Sequence, residues 1–200
     1  MVLPVEHVDI VISEWMGYCL LFESMLDSVL YARDKWLKDS RQIYPNHCSL
    51  SLVAMGDEYE YQCHVGIWDD IGGFKMTCMK EDVLREAVIM AVDQYSLVSS
   101  DDVIKKFDLT KVKPADLEFE SRFSLTMQHN TQCHALVAYF DVGFEVPTYR
   151  VYFSTSPQDT PTHWKQTVFF FQEPVKVLTC LLYTSPSPRD RTRSRMPSSA

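Results

Sequence analysis

The chain has 200 residues, 46% of them hydrophobic, so it is long enough for one domain with its own core. No stretch approaches the ~18 uncharged apolar residues of a membrane helix, and the acidic N-terminus lacks the basic start of a secretory signal, so we expect neither. The net charge is −8, and residues 181–200 contribute +3, so residues 1–180 carry −11. A body that acidic argues against direct nucleic-acid binding and for cationic partners, unless the charge serves only solubility.

The first predicted element is a strand. The apolar run from Val8 to Ile12 is typical of a strand buried on both faces of a parallel sheet, and its partner strands are either missing or elsewhere in the chain. A loop over residues 13–22 follows, in which Gly17 permits a sharp turn.

A helix is predicted next, over residues 23–38. Leu26, Leu30 and Leu37 recur near helical spacing. Glu23 would lie at its start, where the helix dipole favours an acidic side chain.

From residue 48 onward, apolar and polar residues alternate, which is typical of half-buried antiparallel strands. The alternation is clearest at 117–127. Further strands are predicted at 48–55, 135–145, 149–154, 165–171 and 174–179. The fold class is therefore mainly β with some α, an antiparallel β-barrel-like domain. Residues 65–95, which contain WDDIGGF and the helix-like KEDVLREAVIMAV, interrupt the pattern as an inserted helical arm suited to interactions.

The cysteines indicate a reducing compartment. They are scattered without a CxxC pair, which fits neither a zinc site nor a dense disulfide framework, so we expect a cytoplasmic or nuclear protein. His129, Cys133 and His134 suggest a metal site only weakly, because the alternation around them favours core packing, and we expect no metal. The cysteines are residues 19, 48, 63, 78, 133 and 180.

Two carboxylates, Glu14 and Glu23, lie nine residues apart among apolar and aromatic residues. Neighbouring carboxylates repel each other, and a single guanidinium, with five donors in a planar fork, can bind both. The spacing alone also fits two unrelated surface glutamates or a glycosidase-like acid–base pair.

Two motifs are similar to those of one enzyme family. SEWMGY followed by FESML resembles the double-E loop of type I protein arginine N-methyltransferases, and THWKQT at 162–167 resembles the THW loop of that family. WDDIGGFKM and HALVAYFD lie where the family has its dimerisation arm and barrel strands. The resemblance covers residues 3–180, and FESMLDSVLYA and WDDIGGFKMTCMK look closest to the type 3 member, with the type 1 member near.

The resemblance implies a set of site residues. Glu14 and Glu23 would be the catalytic pair that holds the substrate arginine while it takes a methyl group from S-adenosyl-L-methionine, with Glu23 the proton acceptor. Met25 would contact that donor. Substrate-binding positions would be Met16, Tyr18, His163 and Trp164, with His163 braced by an acid in another part of the family's fold.

The sequence departs from the family where the donor should bind, because its six glycines form no GxGxxG turn. We therefore expect residues 1–38 to be the C-terminal remnant of a Rossmann-like methyltransferase domain with the double-E loop, and 39–180 a β-barrel substrate domain carrying the arm at 65–95. Residues 181–200, rich in proline, serine and arginine, are interpreted as a non-native tail, or else a basic disordered one.

The resemblance implies a fragment of an enzyme that methylates Arg/Gly-rich proteins, dimeric when complete and inactive alone. The alternative is a non-catalytic module that binds arginine segments or dimerises.

Overall fold

One antiparallel sheet dominates the fold in a computed structural model, which describes residues 5–177 and the backbone of 183–184. The remaining residues of the interpreted tail, 181–200, lie outside the described part. The helices are α1 Met25–Trp36, α2 Glu58–His64 and α3 Lys80–Val83. The strands are β1 Val11–Ile12, β2 Ile43–Tyr44, β3 His47–Met55, β4 Val88–Met90, β5 Asp102–Asp108, β6 Ser124–Leu125, β7 Thr131–Val146, β8 Tyr149–Ser154, β9 Gln166–Val177 and β10 Tyr183–Thr184.

The sheet is built around the long strand β7. Strand β3 pairs along one side of it, while β9 and β8 share the other side, β9 along 131–138 and β8 along 141–146. The strand order is β4-β9-β7-β3-β5, with β8 as a branch on β7. The predicted mainly β class is confirmed. Among the described residues the sheet is open, since no pairing joins β4 to β5, so barrel closure is not seen there.

Most predicted strands are found, and two of them merge. The strands predicted at 48–55, 135–145 and 149–154 are confirmed as β3, β7 and β8. Those at 165–171 and 174–179 form the single strand β9, whose register against β7 shifts between Cys133 and Ala135. Pro174 lies at this irregularity, where its missing N–H breaks no ladder bond.

A long strand was predicted at 117–127. The structure shows the predicted alternation of buried and exposed side chains around Leu125, but most of the segment does not pair as a strand. Only Ser124–Leu125 pairs as a strand, with β10, whereas Leu125 is buried between exposed neighbours as the pattern required. The segment instead runs beside residues 98–100, where the Ser100 N–H donates to the Thr126 carbonyl at 2.8 Å. An alternating sequence stabilises an extended chain over a core whether or not a ladder forms.

The arm, residues 65–95, has little helix. Only Lys80–Val83 of the helix-like KEDVLREAVIMAV is helical, and its apolar end becomes strand β4, paired with β9. The helix α2 precedes the arm and was not predicted. None of residues 66–91 is buried. Even large apolar side chains are exposed there, such as Ile67 at 49% and Phe74 at 74%.

The N-terminal segment forms a small β-α-β unit that packs onto the sheet. Strand β1 pairs in parallel with β2, which follows α1. Only Val11–Ile12 of the predicted strand pairs in this way, and the described residues do not cover both of its faces, since Ile10 and Ile12 are 54% and 74% exposed. Helix α1 shares one core with the sheet; this core includes Leu26, Leu30, Ile43, Phe107 and Phe140.

The predicted start of the helix was also wrong. Glu23 and Ser24 adopt φ angles of 80° and 57°, in the left-handed region, so they cannot belong to a right-handed helix. The helix begins at Met25, and Glu23 lies in the loop before it. Among the described residues, no helix has the length and apolar character needed to cross a membrane.

Candidate functional site

The loop between β1 and α1, residues 13–24, is tightly wound. The Gly17 N–H donates to the Leu20 carbonyl at 3.1 Å, and the Phe22 N–H donates to the Tyr18 carbonyl at 3.1 Å. Two more residues besides Glu23 and Ser24, namely Cys19 and Leu20, have positive φ. Each such residue costs on the order of 1–3 kcal/mol, so contacts outside the loop must hold this conformation.

Gly17 is required for a reason other than the sharp turn that its sequence position suggested. A Cβ at this position would lie 1.9 Å from the Phe22 carbonyl oxygen, a distance that no side chain tolerates. The loop therefore folds back on its own backbone at Gly17, and this close approach brings the segment with Glu14 next to the segment with Glu23.

Glu14 and Glu23 are both exposed. Within residues 5–177, neither carboxylate accepts a hydrogen bond or forms an ion pair. Trp15, Met16 and Leu20, which separate them in sequence, are buried in the core shared with the sheet. The loop thus directs its apolar side chains inward and leaves two anionic groups at the surface, available to a cationic ligand.

The THW segment meets this loop directly. The indole Nε1 of Trp164 donates to the Met16 carbonyl oxygen at 2.7 Å, across 148 residues of sequence. The Trp164 ring stacks on Phe153 with centroids 5.6 Å apart and meets the edge of buried Phe140 at 5.7 Å. The structure therefore brings together the two motifs on which the family resemblance was based.

A second contact joins the loop to strand β9. Burial raises the pKa of the Cys19 thiol, and the neighbouring side chain of Thr167 opposes this by lowering that pKa. Thr167 is itself buried in the strand that follows the THW segment. The loop is thus tied to the sheet at Met16 and Cys19, on either side of Gly17.

The segment from Ser154 to Gln166 is fixed at its two ends. The Phe140 N–H donates to the Thr155 hydroxyl at 2.9 Å, and the Gln166 side-chain amide donates to the Thr155 carbonyl at 2.7 Å. His163 is exposed, and its ring lies 3.9 Å from that of Trp164, centroid to centroid. It pairs with no acidic residue in the described part of the chain.

The other predicted site residues differ in their exposure. Tyr18 and Met25 are 38% and 45% exposed, and Phe22 is 54% exposed, so the segment that carries the glutamates also leaves apolar side chains at the surface. Met16 is only 6% exposed, so its side chain belongs to the core and its carbonyl is the group that faces Trp164. A substrate-lining role for the Met16 side chain does not fit this burial.

The structure also shows residues that the sequence reasoning missed. Phe153 and Thr167 support the loop through Trp164 and Cys19, and no local pattern marks either one as special. Among the described residues, no group of three His, Cys, Asp or Glu side chains is placed to hold a metal ion. His134 instead lies 2.8 Å from Glu58.

The family follows from the sequence match. Residues 47–181 match the family described as the arginine methyltransferase oligomerization subdomain. The chain belongs to the protein arginine methyltransferase family. It is 44% identical over 171 residues to probable protein arginine N-methyltransferase 1.2 of Arabidopsis thaliana, which covers 86% of this chain and 47% of the relative. It is 43% identical to protein arginine N-methyltransferase 8-B of Danio rerio, over 86% of this chain and 41% of the relative. The chain therefore spans about half the length of these relatives.

Solved structures agree with the match. A chain of the Trypanosoma brucei PRMT1 enzyme–prozyme heterotetrameric complex with AdoHcy superposes with a TM-score of 0.83 at 36% identity, over 88% of this chain and 56% of that one. Arabidopsis thaliana protein arginine methyltransferase 10 gives 0.72 at 25% identity, over 89% and 59%. These relatives are family members numbered 1, 8 and 10. They do not support the expectation that this chain is most similar to the member numbered 3.

Proposed function

We propose that this chain is the substrate-binding and oligomerising part of a protein arginine N-methyltransferase, and that Glu14 and Glu23 bind the arginine to be methylated. One observation carries the proposal: both carboxylates are exposed without partners on a loop that the THW segment holds in place. A guanidinium supplies the cation and the paired donors that two carboxylates bind best.

The proposed chemistry follows from the two charges. Carboxylates that bind the guanidinium draw its positive charge toward themselves, which leaves electron density on the nitrogen that takes the methyl group. They also fix the direction of attack, and positioning of this kind contributes several kcal/mol in enzymes, with effective molarities of ~10⁵ M and above. The proton that leaves the nitrogen passes to a carboxylate, for which we favour Glu23.

The methyl donor needs more than the described residues provide. In this family the donor is S-adenosyl-L-methionine, and only the exposed thioether of Met25 is a candidate contact here. Its carboxylate, ribose and adenine each need polar partners, and the sequence has no glycine-rich turn for them. We therefore place the donor site in a further part of a longer protein and expect the 200-residue chain alone to transfer no methyl groups.

The acidic body of the chain supports cationic substrates. Residues 1–180 carry a net charge of −11, which attracts Arg-rich segments over distances of about a Debye length, ~8 Å at physiological salt. We propose Arg/Gly-rich proteins as the substrate class, in the cytoplasm or nucleus.

A second function, oligomerisation, is favoured by the arm. In globular proteins, a stretch as apolar as residues 66–91 is usually buried in part, yet none of its residues is buried here. The match to an oligomerization subdomain is consistent with this exposure. A non-catalytic module that only dimerises would use the same arm, whereas one that only binds arginine segments would use Glu14 and Glu23.

The test uses a longer protein in which a donor-binding domain precedes the chain. Glu14→Gln and Glu23→Gln each keep the shape of the side chain and remove its charge, so each should lower methyl transfer to an Arg/Gly-rich peptide by at least about a hundredfold. Glu6→Gln, another exposed glutamate, is the matched control and should leave the rate unchanged. Near-normal rates for both site variants would show that the glutamates do not bind the reacting arginine.

A further inference from the structure

The ring of Trp164 packs against neighbouring aromatic rings. Its ring lies nearly parallel to that of Phe153, with 17° between the planes, and it meets the ring of Phe140 at 73°. Phe140 is 2% exposed and lies on the central strand β7, so this support is rigid. The N–H of the indole is used by Met16, and its ring contacts Phe153, Phe140 and His163, so Trp164 is committed to contacts within the chain although it is only partly buried.

The Met16 carbonyl depends on this indole. Within residues 5–177, no backbone N–H donates to that oxygen, and Met16 is 6% exposed. A buried carbonyl without a donor is costly, so loss of the indole N–H would favour a rearrangement of the backbone at Met16. Met16 lies between Glu14 and Gly17, so any such rearrangement would move the point at which the loop folds back.

The glutamates have no anchors of their own. Because neither carboxylate bonds to another described residue, the positions of both are set by the backbone of the loop. That backbone contains four non-glycine residues in the left-handed region, Cys19, Leu20, Glu23 and Ser24. A strained loop of this kind relaxes when an outside contact is removed.

We infer that Trp164 is a positioning residue: its indole N–H, bound to the Met16 carbonyl, sets the conformation of the loop that carries Glu14 and Glu23. The inference rests on the proposed function for its catalytic consequence, but the contact itself is independent of that function. It gives Trp164, expected from the resemblance to bind substrate, a role that acts through the loop.

The first experiment measures the loop directly in the 200-residue chain. Trp164→Phe keeps an aromatic ring in the pocket and removes only the N–H donor. We expect the amides of Gly17 and Phe22, both hydrogen-bonded within the loop, to exchange hydrogen at least about threefold faster, the factor that corresponds to loss of a single hydrogen bond. Amides of the central strands, such as those of Leu52 and Val137, report any general loss of stability and are used to normalise the rates.

The control is Phe153→Leu, which weakens the aromatic support of Trp164 and leaves its N–H in place. After normalisation, we expect slower loop exchange in this variant than in Trp164→Phe. Unchanged loop exchange in Trp164→Phe, or equal acceleration in the two variants, would overturn the inference, because the ring and not the N–H would then be what matters.

The second experiment uses the longer protein with its donor-binding domain. There Trp164→Phe should lower kcat about tenfold or more, since an error of about 1 Å in the position of a catalytic group is enough to do so, while KM for the methyl donor stays unchanged. Loss of activity in Glu23→Gln, together with normal exchange and normal kcat in Trp164→Phe, would refute the inference and leave the proposed function standing. Faster loop exchange in Trp164→Phe, with full activity in Glu23→Gln, would support the anchoring contact and refute the proposed function.

Discussion

Arg33 donates a hydrogen bond from Nη1 to the carbonyl oxygen of Leu109 at 2.6 Å. The same nitrogen donates to the Val112 carbonyl at 2.8 Å, and the side chain is only 5% exposed. Nε donates to the exposed carboxylate of Asp34 at 2.7 Å, which balances the charge of the guanidinium on that side, while Nη1 faces only neutral carbonyl groups. One guanidinium thus joins α1, behind the glutamate loop, to the turn that follows β5.

Replacing this guanidinium should destabilise the chain. Arg33→Met keeps much of the apolar stem and leaves two carbonyl oxygens with no donor from the helix, so we expect a loss of about 2–4 kcal/mol in the free energy of unfolding. Urea denaturation gives the value. Lys35→Met, on an exposed position of the same helix, is the control and should change it by less than about 0.5 kcal/mol. A similar small change in both variants would contradict the prediction.

The sequence could predict the elements with a regular period, and it failed where distant contacts decide. Strands β3, β7 and β8 could be located from apolar and polar residues that alternate in sequence, although β3 is buried without a break from Ser51 to Met55 and β8 is exposed from Tyr149 to Tyr152. The start of α1 was misplaced because Glu23 and Ser24 satisfy helical propensity locally, whereas the Gly17–Phe22 approach forces them into the left-handed region. No rule that works over a few residues contains that constraint.

The candidate site, too, could be predicted only in part from the sequence. Glu14, Glu23, His163 and Trp164 could be named only because their motifs resemble a known family; spacing left several alternatives open. The bond from Trp164 to Met16 could not be predicted, because it spans 148 residues and ends on a backbone carbonyl. A carbonyl is present at every residue, so sequence cannot indicate which one receives an indole N–H.

The cysteines give a prediction about thiol reactivity. Burial raises the pKa of Cys48 to about 12 and that of Cys133 to about 11, and it also raises the pKa of Cys19. The reactive species is the thiolate, so these three should react slowly with iodoacetamide at pH 8, and more slowly than the exposed Cys63 and Cys78. Peptide mapping by mass spectrometry reads each site separately, and unfolding in urea should abolish the difference. Fast labelling of Cys48 in the folded chain would show that its strand is not buried.

The cap of α2 predicts a dependence of stability on pH. The Asp57 carboxylate accepts hydrogen bonds from the Glu60 N–H at 3.0 Å and the Ser96 hydroxyl at 2.7 Å. Partial burial raises its pKa, but these bonds outweigh burial and hold the pKa below its ordinary value of 3.8. A depressed pKa in the folded state means that the contribution to stability is full above pH 3.8 and is lost as the pH falls below it.

Variants at Asp57 should therefore differ with pH. Asp57→Ala should cost about 1 kcal/mol at pH 7, the usual value for a lost N-cap, and less at pH 3, where the wild-type carboxyl is partly protonated. Asp57→Asn keeps an acceptor for the Glu60 N–H and should cost less than alanine at pH 7. Urea unfolding at both pH values measures this, with Glu86→Ala as an exposed control. An equal cost of Asp57→Ala at both pH values would show that the ionised form has no advantage.

The arm gives a prediction about association that separates it from folding. Phe74 is 74% exposed at the turn closed by Ile71 and Phe74, whose backbone groups exchange hydrogen bonds at 2.9 and 3.1 Å. Because the ring contributes to no core cluster, Phe74→Asp should leave the free energy of unfolding of the 200-residue chain within about 0.5 kcal/mol of wild type.

If the arm is the oligomerisation surface, the same change in the longer protein should weaken the dimer at least about tenfold, since it places a charge in an apolar interface. Tyr95→Asp is the matched control, an aromatic residue that is 87% exposed at the end of the arm, within the short helical turn Gln94–Ser96 capped by Asp93. Sedimentation velocity over a range of concentrations gives the dissociation constants. An unchanged dimer in Phe74→Asp would show that the turn at Phe74 is not part of the contact, and an equal loss in Tyr95→Asp would show that the effect is not specific to that turn.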